Sequence, residues 1–494
     1  MMNERKLISW EFLKIIKDTL DSYRIRALID AKEDIIARGI YSEEEYYDLL
    51  FNLFDLEQLK FELYELVKRK PFYEVNILQE FAQRKSVQLN LVFYLLELLK
   101  HENRINFDKT FTNDENNNAY LNEFNVSAIN LDYVRLKNVY EPVKVIFDAK
   151  VCSGCGMCAA LCPMKCIAMI NGFGAINEDL CIKCGICYLV CPRTILPTEL
   201  LHMTISQSDK PHQVIKFGPF MEAYSARTKI PEIKDNCQDG GITTTCLYYL
   251  LNQNKIDIAL GARMSEEAWK PIPFKISSTE EAVSCAGTKY VNNPNLSLLN
   301  DRTLNDQNIA VVGVPCQMQA LLKSKIYDFN HPRLKQIRYR IGIFCMESFP
   351  FKEGFLNICE LLNVKSQEIK KTDINKGKFL IYTQSGEELS IPVKEVSHLA
   401  RPDCGLCYDL TSECADISIG SIGSPSGWNT VLIRTPKGKE LYDELVNEGL
   451  IETKKIEDVK PGLSLLEKTA KSKKTKCKNH LDAHLAENRR VPYY

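Results

Sequence analysis

A chain of 494 residues, 45% hydrophobic and 26% charged, is long enough for about two to four globular domains with cores of their own, which excludes global disorder. A net charge of −1 gives no overall attraction to nucleic acid or acidic lipid, and no run approaches the ~18 apolar residues of a membrane span. The opening MMNERKLISW has no apolar stretch behind its charges, so the expected location is the cytoplasm.

Residues 1–112 read as a helical domain without chemistry. Leu49, Leu53, Leu56, Leu59, Leu63 and Leu66 recur at intervals of three and four, an apolar stripe for a core or for a partner. Helical runs Ile77–Arg84 and Val87–Lys100, followed by the β-prone Arg104–Phe107, give the outline of a winged helix, so DNA binding has to be weighed. Over residues 1–140 there are 19 Lys plus Arg against 24 Asp plus Glu, and an acidic domain binds phosphate poorly. The reading is a protein-docking domain and no nucleic acid. The polar run NDENNN (113–118) ends it and opens a connector, 113–146.

The chain has 19 cysteines: none before Cys152, nine from Cys152 to Cys191, and ten from Cys237 to Cys477. Without a secretory signal, thiolate ligation of metal in a reducing cytosol is favoured over a disulfide framework. Within 147–200, Cys152-x-x-Cys155-x-x-Cys158-x-x-x-Cys162-Pro163 is repeated as Cys181-x-x-Cys184-x-x-Cys187-x-x-x-Cys191-Pro192. In such a run three thiolates wrap one [4Fe–4S] cube and the fourth, turned away at the proline, reaches the neighbouring cube. One cluster is therefore assigned to Cys152, Cys155, Cys158 and Cys191, the other to Cys181, Cys184, Cys187 and Cys162. Paired zinc sites would not need this doubled, proline-directed pattern. Gly154, Gly156 and Gly185 keep the loops thin enough for N–H groups to approach sulfur, and Cys166 fits neither set and reads as a packed residue.

A second connector, 201–216, leads to a domain at 217–494. Its strand-like runs, Ile309–Val314 and Ile337–Phe344, alternate with helix-like ones, Gly354–Leu362 and Lys439–Glu448, which fits α/β or α+β structure. Cys316 in GVPCQ, Cys345 in IFCMESFP, and Cys404 and Cys407 in CGLC sit at strand ends and in a C-x-x-C loop. Spacing alone leaves open a third cluster, core cysteines, zinc or a redox pair. No G-x-G-x-x-G occurs, so a Rossmann nicotinamide site is unsupported. Two glycine turns, QDGGITT (238–244) and GSIGSPSG (420–427), suit either a tight turn or a pyrophosphate at a helix start.

From about Glu222 to Lys468 the chain resembles the beta subunit family of coenzyme F-420-reducing hydrogenase and F-420 dehydrogenases. The resemblance is carried by QDGGITT, WKPIPF (269–274), AGTKY (286–290), GVPCQ, IFCMESFP, INKGKF (374–379), CGLC, GSIGSPSGWNTV (420–431) and KPGLSLLEK (460–468). It implies a FAD-binding domain that exchanges hydride with coenzyme F-420, with a third [4Fe–4S] cluster on Cys316, Cys345, Cys404 and Cys407. Candidate FAD contacts are then Gly240, Gly241, Thr243, Thr244, Lys289, Gly423, Ser424 and Trp428. Lys376, Lys378 and Arg227 are candidates for holding the acidic tail of F-420, against ordinary solvated charge. The resemblance also implies a protein redox partner, such as a hydrogenase, a heterodisulfide-reductase-like complex or another dehydrogenase, and through it a peripheral place on a membrane complex. No side chain is expected to act as a catalytic acid or base, since hydride transfer between stacked rings needs orientation and excluded water. The expected architecture is multidomain α+β: N-terminal helices, a bacterial-type two-cluster ferredoxin module, and a C-terminal α/β domain. Rival readings are a flavin- and ferredoxin-dependent reductase of another organic substrate, and a redox-responsive regulator that reads DNA with its N-terminal helices.

Overall fold

The computed structural model describes residues 23–69, 72, 74–102, 104–113, 118–128, 143–208, 212–214, 216–327 and 331–494. The expectations for residues 1–22, for 114–117 of the polar run and for 129–142 of the first connector lie outside them. Five helices open the described chain, Tyr23–Asp30, Lys32–Ala37, Glu43–Arg69, Val75–Lys85 and Leu89–His101. The long third helix starts at a capping box, with Glu45 N–H donating to Ser42 Oγ (3.2 Å) and Ser42 N–H to Glu45 Oε2 (2.7 Å). Glu43, Glu44 and Glu45 in its first turn, with Lys68 and Arg69 in its last, complement the helix dipole.

The leucine stripe of this helix is spent inside the chain. Leu49, Leu53, Leu56, Leu59 and Leu63 are buried and Leu66 packs against the same core, so the stripe offers no apolar area to a partner. Helix Leu89–His101, in the place of a recognition helix, is buried from Val92 to Leu99. Its Tyr94 ring meets Tyr327 edge-on and Asn90 donates to Thr204 Oγ1, so it is not presented to a DNA groove.

Strands β1 (Ile105–Asn113) and β2 (Asn118–Ala128) form an antiparallel hairpin whose Phe107, Phe124 and Val126 are buried in the core shared with the helices. The cysteine module follows, with the short hairpin β3 (Ile167–Ile170) and β4 (Phe173–Ile176) between its two cysteine runs. Both expected connectors carry structure. The first contains β2, while the second contains most of helix Thr198–Ser206 and strand β5 (His212–Val214), which returns to pair with Asn118–Tyr120 of β2. The N-terminal sheet is thus completed by chain from both sides of the cysteine module.

The C-terminal part is built on β6 (Glu222–Thr228), β7 (Ile258–Met264), β8 (Pro271–Ile276), β9 (Ile309–Gly313) and β10 (Ile337–Ile343). After a separate antiparallel sheet of β11 (Ile369–Asn375), β12 (Lys378–Thr383) and β13 (Glu388–Pro392), it adds β14 (Ile417–Gly420), β15 (Asn429–Ile433) and β16 (Ile451–Lys455). The eight-stranded sheet runs β16-β6-β15-β14-β10-β9-β7-β8. Its centre, β14, β10, β9 and β7, is parallel, and β9 (IAVVG) is buried at every position, as a strand covered on both faces must be. The expected strands at 309–314 and 337–344 are β9 and β10. The expected helices are Phe351–Leu356 continuing into Asn357–Leu361, and Pro436–Asn447.

Candidate electron-relay site

Strands β6 and β14 are both antiparallel to β15, so β6 points the same way as β14, β10, β9 and β7. The carboxyl ends of five strands therefore share one edge, where ligands of open α/β sheets bind. The sequence motifs gather there: QDGGITT after β6, Trp269–Phe274 after β7, Cys316 after β9, Cys345 after β10 and GSIGSPSG after β14.

The two glycine turns meet each other. A side chain at Gly240 would come within 2.6 Å of Ala226 O and Asn429 N, so only glycine lets the turn lie this close to β6 and β15. Gly241, at φ +72°, caps helix Ile242–Asn252, and Ile242 N–H donates to Asn429 Oδ1 (3.2 Å). The Asp239 carboxylate accepts from Gly427 N–H, and burial, with Asp373 nearby, raises its pKa. Lys371 of β11 donates to Gln238 O (3.2 Å), and the buried Gln238 Nε2 has no hydrogen-bond partner. Thr244 is buried, Thr243 half-buried, and Ser424 Oγ meets Thr430 Oγ1 at 2.8 Å beside Gly423. A helix start, an unpartnered buried amide and a nearby lysine suit a pyrophosphate chemically.

Other candidates at this edge are engaged within the protein. The Lys289 ammonium donates to the carbonyls of Cys285, Ala286 and Gly287 at 2.8–3.1 Å, and burial holds its pKa down to about 8. Trp428 lies buried between Arg227 and Lys454, each 4.6 Å from its ring, and Arg227 is held by Glu452 (2.7 Å). Lys376 and Lys378 are exposed at the β11–β12 turn. Lys371 escapes sequence reasoning because it lies 133 residues beyond Gln238 in a strand without motif character, and only the folding of β11 brings it to the glycine turn.

Further along the edge, four thiols converge. Cys407 lies within electrostatic reach of Cys316 and Cys345, and Cys345 of Cys404. Burial pushes Cys345 up to about 11 and raises Cys404 and Cys316. The buried Lys473, from helix Gly462–Ala486, faces Cys407, Cys345 and Cys404 and donates to the carbonyls of Cys345 and Asp409. Burial opposes its charge, and Cys407, Cys345, Cys404 and Asp409 around it raise its pKa overall. A buried cation beside three of these four thiols matches what a thiolate-bound cluster needs.

In the cysteine module the thiols fall into two groups. Cys158 interacts with Cys155, Cys152 and Cys191 and, least, with Cys187, whereas Cys162, Cys181, Cys184 and Cys187 line one hollow together with Cys166. Backbone N–H groups point at sulfur: Gly154 at Cys152 (3.3 Å), Lys183 at Cys181 (3.4 Å) and Arg193 at Cys191 (3.4 Å). Among the described residues no three His, Cys, Asp or Glu side chains come close enough to hold a single metal ion. The fit to clusters rests on the donor chemistry, thiols ringed by N–H donors.

The first run is also docked on the C-terminal sheet. Carbonyls of its loops accept from Arg401 Nη2 (Cys152 O, 2.5 Å), Asn292 Nδ2 (Ser153 O, 3.1 Å) and Leu296 N–H (Cys155 O, 3.2 Å). Buried Lys323 donates to Cys191 O (2.7 Å) and Thr194 Oγ1 (2.8 Å), and burial lowers its pKa to about 7. Gly156, at φ +89°, has no room for a side chain because Ser297 N and Pro294 O would lie within 2.8 Å of it. Arg193, 1% exposed, reaches Asp403 (3.2 Å), beside Cys404, and Asp403 is shared with Arg401 (3.1 Å).

Thiol groups in series, docked beside a sheet edge that carries a pyrophosphate-type turn, define an electron-relay oxidoreductase. Comparison with known proteins agrees. Models of the coenzyme F-420 hydrogenase/dehydrogenase beta subunit match residues 223–300 (N-term) and 306–459 (C terminus), and a 4Fe-4S dicluster domain matches 144–192. The coenzyme F-420 hydrogenase subunit beta of Methanothermobacter thermautotrophicus is 38% identical over 279 residues, 56% of this chain and 99% of that protein. One subunit of the F(420)H(2) dehydrogenase of Methanosarcina mazei is 34% identical over 336 residues, 67% of this chain and 91% of that one. Among solved structures, a chain of the F-420-reducing [NiFe] hydrogenase complex from Methanosarcina barkeri is similar at TM-score 0.54 and 36% identity, covering 56% of this chain and 97% of its own length. The chain belongs to the coenzyme F-420 hydrogenase/dehydrogenase beta subunit family, with a dicluster iron–sulfur domain fused ahead of it.

Proposed function

We propose that this chain is the electron-input subunit of a larger redox complex, oxidising reduced coenzyme F-420, or reducing F-420 in reverse, at a FAD held by the two glycine turns. When bound, FAD exchanges hydride with the deazaflavin ring and single electrons with iron–sulfur clusters. Gln238, Gly241 and the start of helix Ile242–Asn252 would hold its pyrophosphate, with Lys371 beside them. Cys316, Cys345, Cys404 and Cys407 would hold a third cluster, with Lys473 offsetting its charge. Cys152, Cys155, Cys158 and Cys191 would ligate the first ferredoxin cluster, and Cys162, Cys181, Cys184 and Cys187 the second.

The observation that carries this reading is the Arg193–Asp403 contact. It joins the residue two after Cys191 to the residue before Cys404, which supports a first ferredoxin cluster next to a third. The second would then be the outer one, its loops offering the exposed Lys165 and Lys183 to a partner protein. Anaerobically purified protein should hold about twelve iron and one FAD per chain, and Cys404→Ser with Cys407→Ser should remove about four iron while sparing the ferredoxin pair. Iron still near twelve in the folded double variant would refute the third cluster.

A further inference from the structure

Eight cysteines suffice for two cubes, and the module holds nine. The ninth, Cys166, is buried and lines the same hollow as Cys162, Cys181, Cys184 and Cys187. Its Sγ lies 3.4 Å from Cys162 Sγ, with the Cys181 thiol within electrostatic reach. Its backbone is pinned at the same place: its N–H points at the Cys162 sulfur, and its carbonyl accepts from Asn177 N–H (2.7 Å) just ahead of β3. The thiol is therefore held against the Cys162 sulfur by main-chain structure.

Cys162 and Cys181, once bound to iron, are thiolates with no proton to give. The only proton in the Cys162–Cys166 contact then belongs to Cys166, which becomes the donor to the Cys162 sulfur. A donor to a ligating sulfur stabilises the cluster more when it carries the extra electron, because that state is the more negative one. From this geometry we propose that the Cys166 thiol is a positioning donor that raises the reduction potential of the second ferredoxin cluster, a step that holds electrons at the outer end of the relay. The inference rests on the ligand set proposed above.

The test is an EPR-monitored redox titration of the full chain, purified anaerobically, as wild type, Cys166→Ala and Cys166→Ser. All three should hold the same iron. In Cys166→Ala the reduced-to-oxidised ratio of one cluster at a fixed potential should fall at least threefold, about 28 mV at 59 mV per tenfold for one electron. Cys166→Ser, which keeps a hydroxyl donor, should recover at least half of that shift, and an exchangeable proton coupled to the cluster in wild type should be missing from Cys166→Ala. Unchanged potentials with full iron in Cys166→Ala would overturn the proposal, and loss of about four iron there would make Cys166 a ligand and overturn it too. A parallel Cys181→Ser variant tests the ligand set separately: it must lose the second cluster's signal, and full iron in that variant would overturn the set itself.

Discussion

Arg193 shows how much of this molecule turns on single buried charges. A buried guanidinium without a counter-ion costs several kcal/mol, and here two of them, Arg193 and Arg401, share the one carboxylate of Asp403. Arg193 lies within electrostatic reach of Cys155, Cys407 and Cys316, ligands of two clusters of the proposed relay, which would be negative. Arg193 also lies on a short path of bonds from Cys191 through Pro192 to Asp403 and Cys404. Arg193→Met should leave transfer from flavin to a dye intact but slow reduction of the ferredoxin clusters at least tenfold in anaerobic stopped-flow, a barrier change of about 1.4 kcal/mol. Equal rates in the two proteins would remove Arg193 from the relay. None of this is legible from the sequence, since Arg193 and Asp403 are 210 residues apart and look like ordinary loop charges.

At the scale of elements, the N-terminal helices are legible in their periodicity but not in their role. Spacing shows which leucines share a face, and the stripe at 49–66 is real, but what covers that face depends on chain far away in sequence. The structure covers it internally and joins the helices to the rest: Tyr41 donates to Leu161 O (3.3 Å), Arg333 to Ile40 O (3.1 Å) and Asn305 to Glu45 (2.9 Å). One continuous apolar core runs from these helices through the cysteine module to the C-terminal domain. Leu53→Ala should cost about 2–5 kcal/mol. Its consequence should be iron release at a lower temperature, followed by cluster absorbance during heating; an unchanged release temperature would mean that the helices are an appendage. Strands β2 and β5 escape a sequence reading for a different reason: β5 has only three residues, and β2 alternates only over Phe124–Ala128, its first half being broken up by asparagine and glutamate. The cysteine runs are legible because cluster ligation fixes spacing along the chain itself, whereas the role of Cys166 depends on the fold of the hollow around it.

For the whole molecule, the order of motifs along the sheet edge is the order of the proposed relay. The glycine turns lie at β6 and β14, Cys345 and Cys316 at the neighbouring β10 and β9, and the first ferredoxin run is docked against them. In the proposed relay hydride would be exchanged at one end and single electrons at the other. The proposed hydride donor, reduced F-420, rests on the family membership. The most direct measurement mixes anaerobic, FAD-replete protein with reduced F-420 and a one-electron dye. Recovery of the deazaflavin absorbance is expected, with NADH and NADPH at least a hundredfold slower, a difference of roughly 2.7 kcal/mol in transition-state stabilisation, and with no turnover after FAD is removed. Comparable turnover with NADH, or none with reduced F-420, would contradict the account.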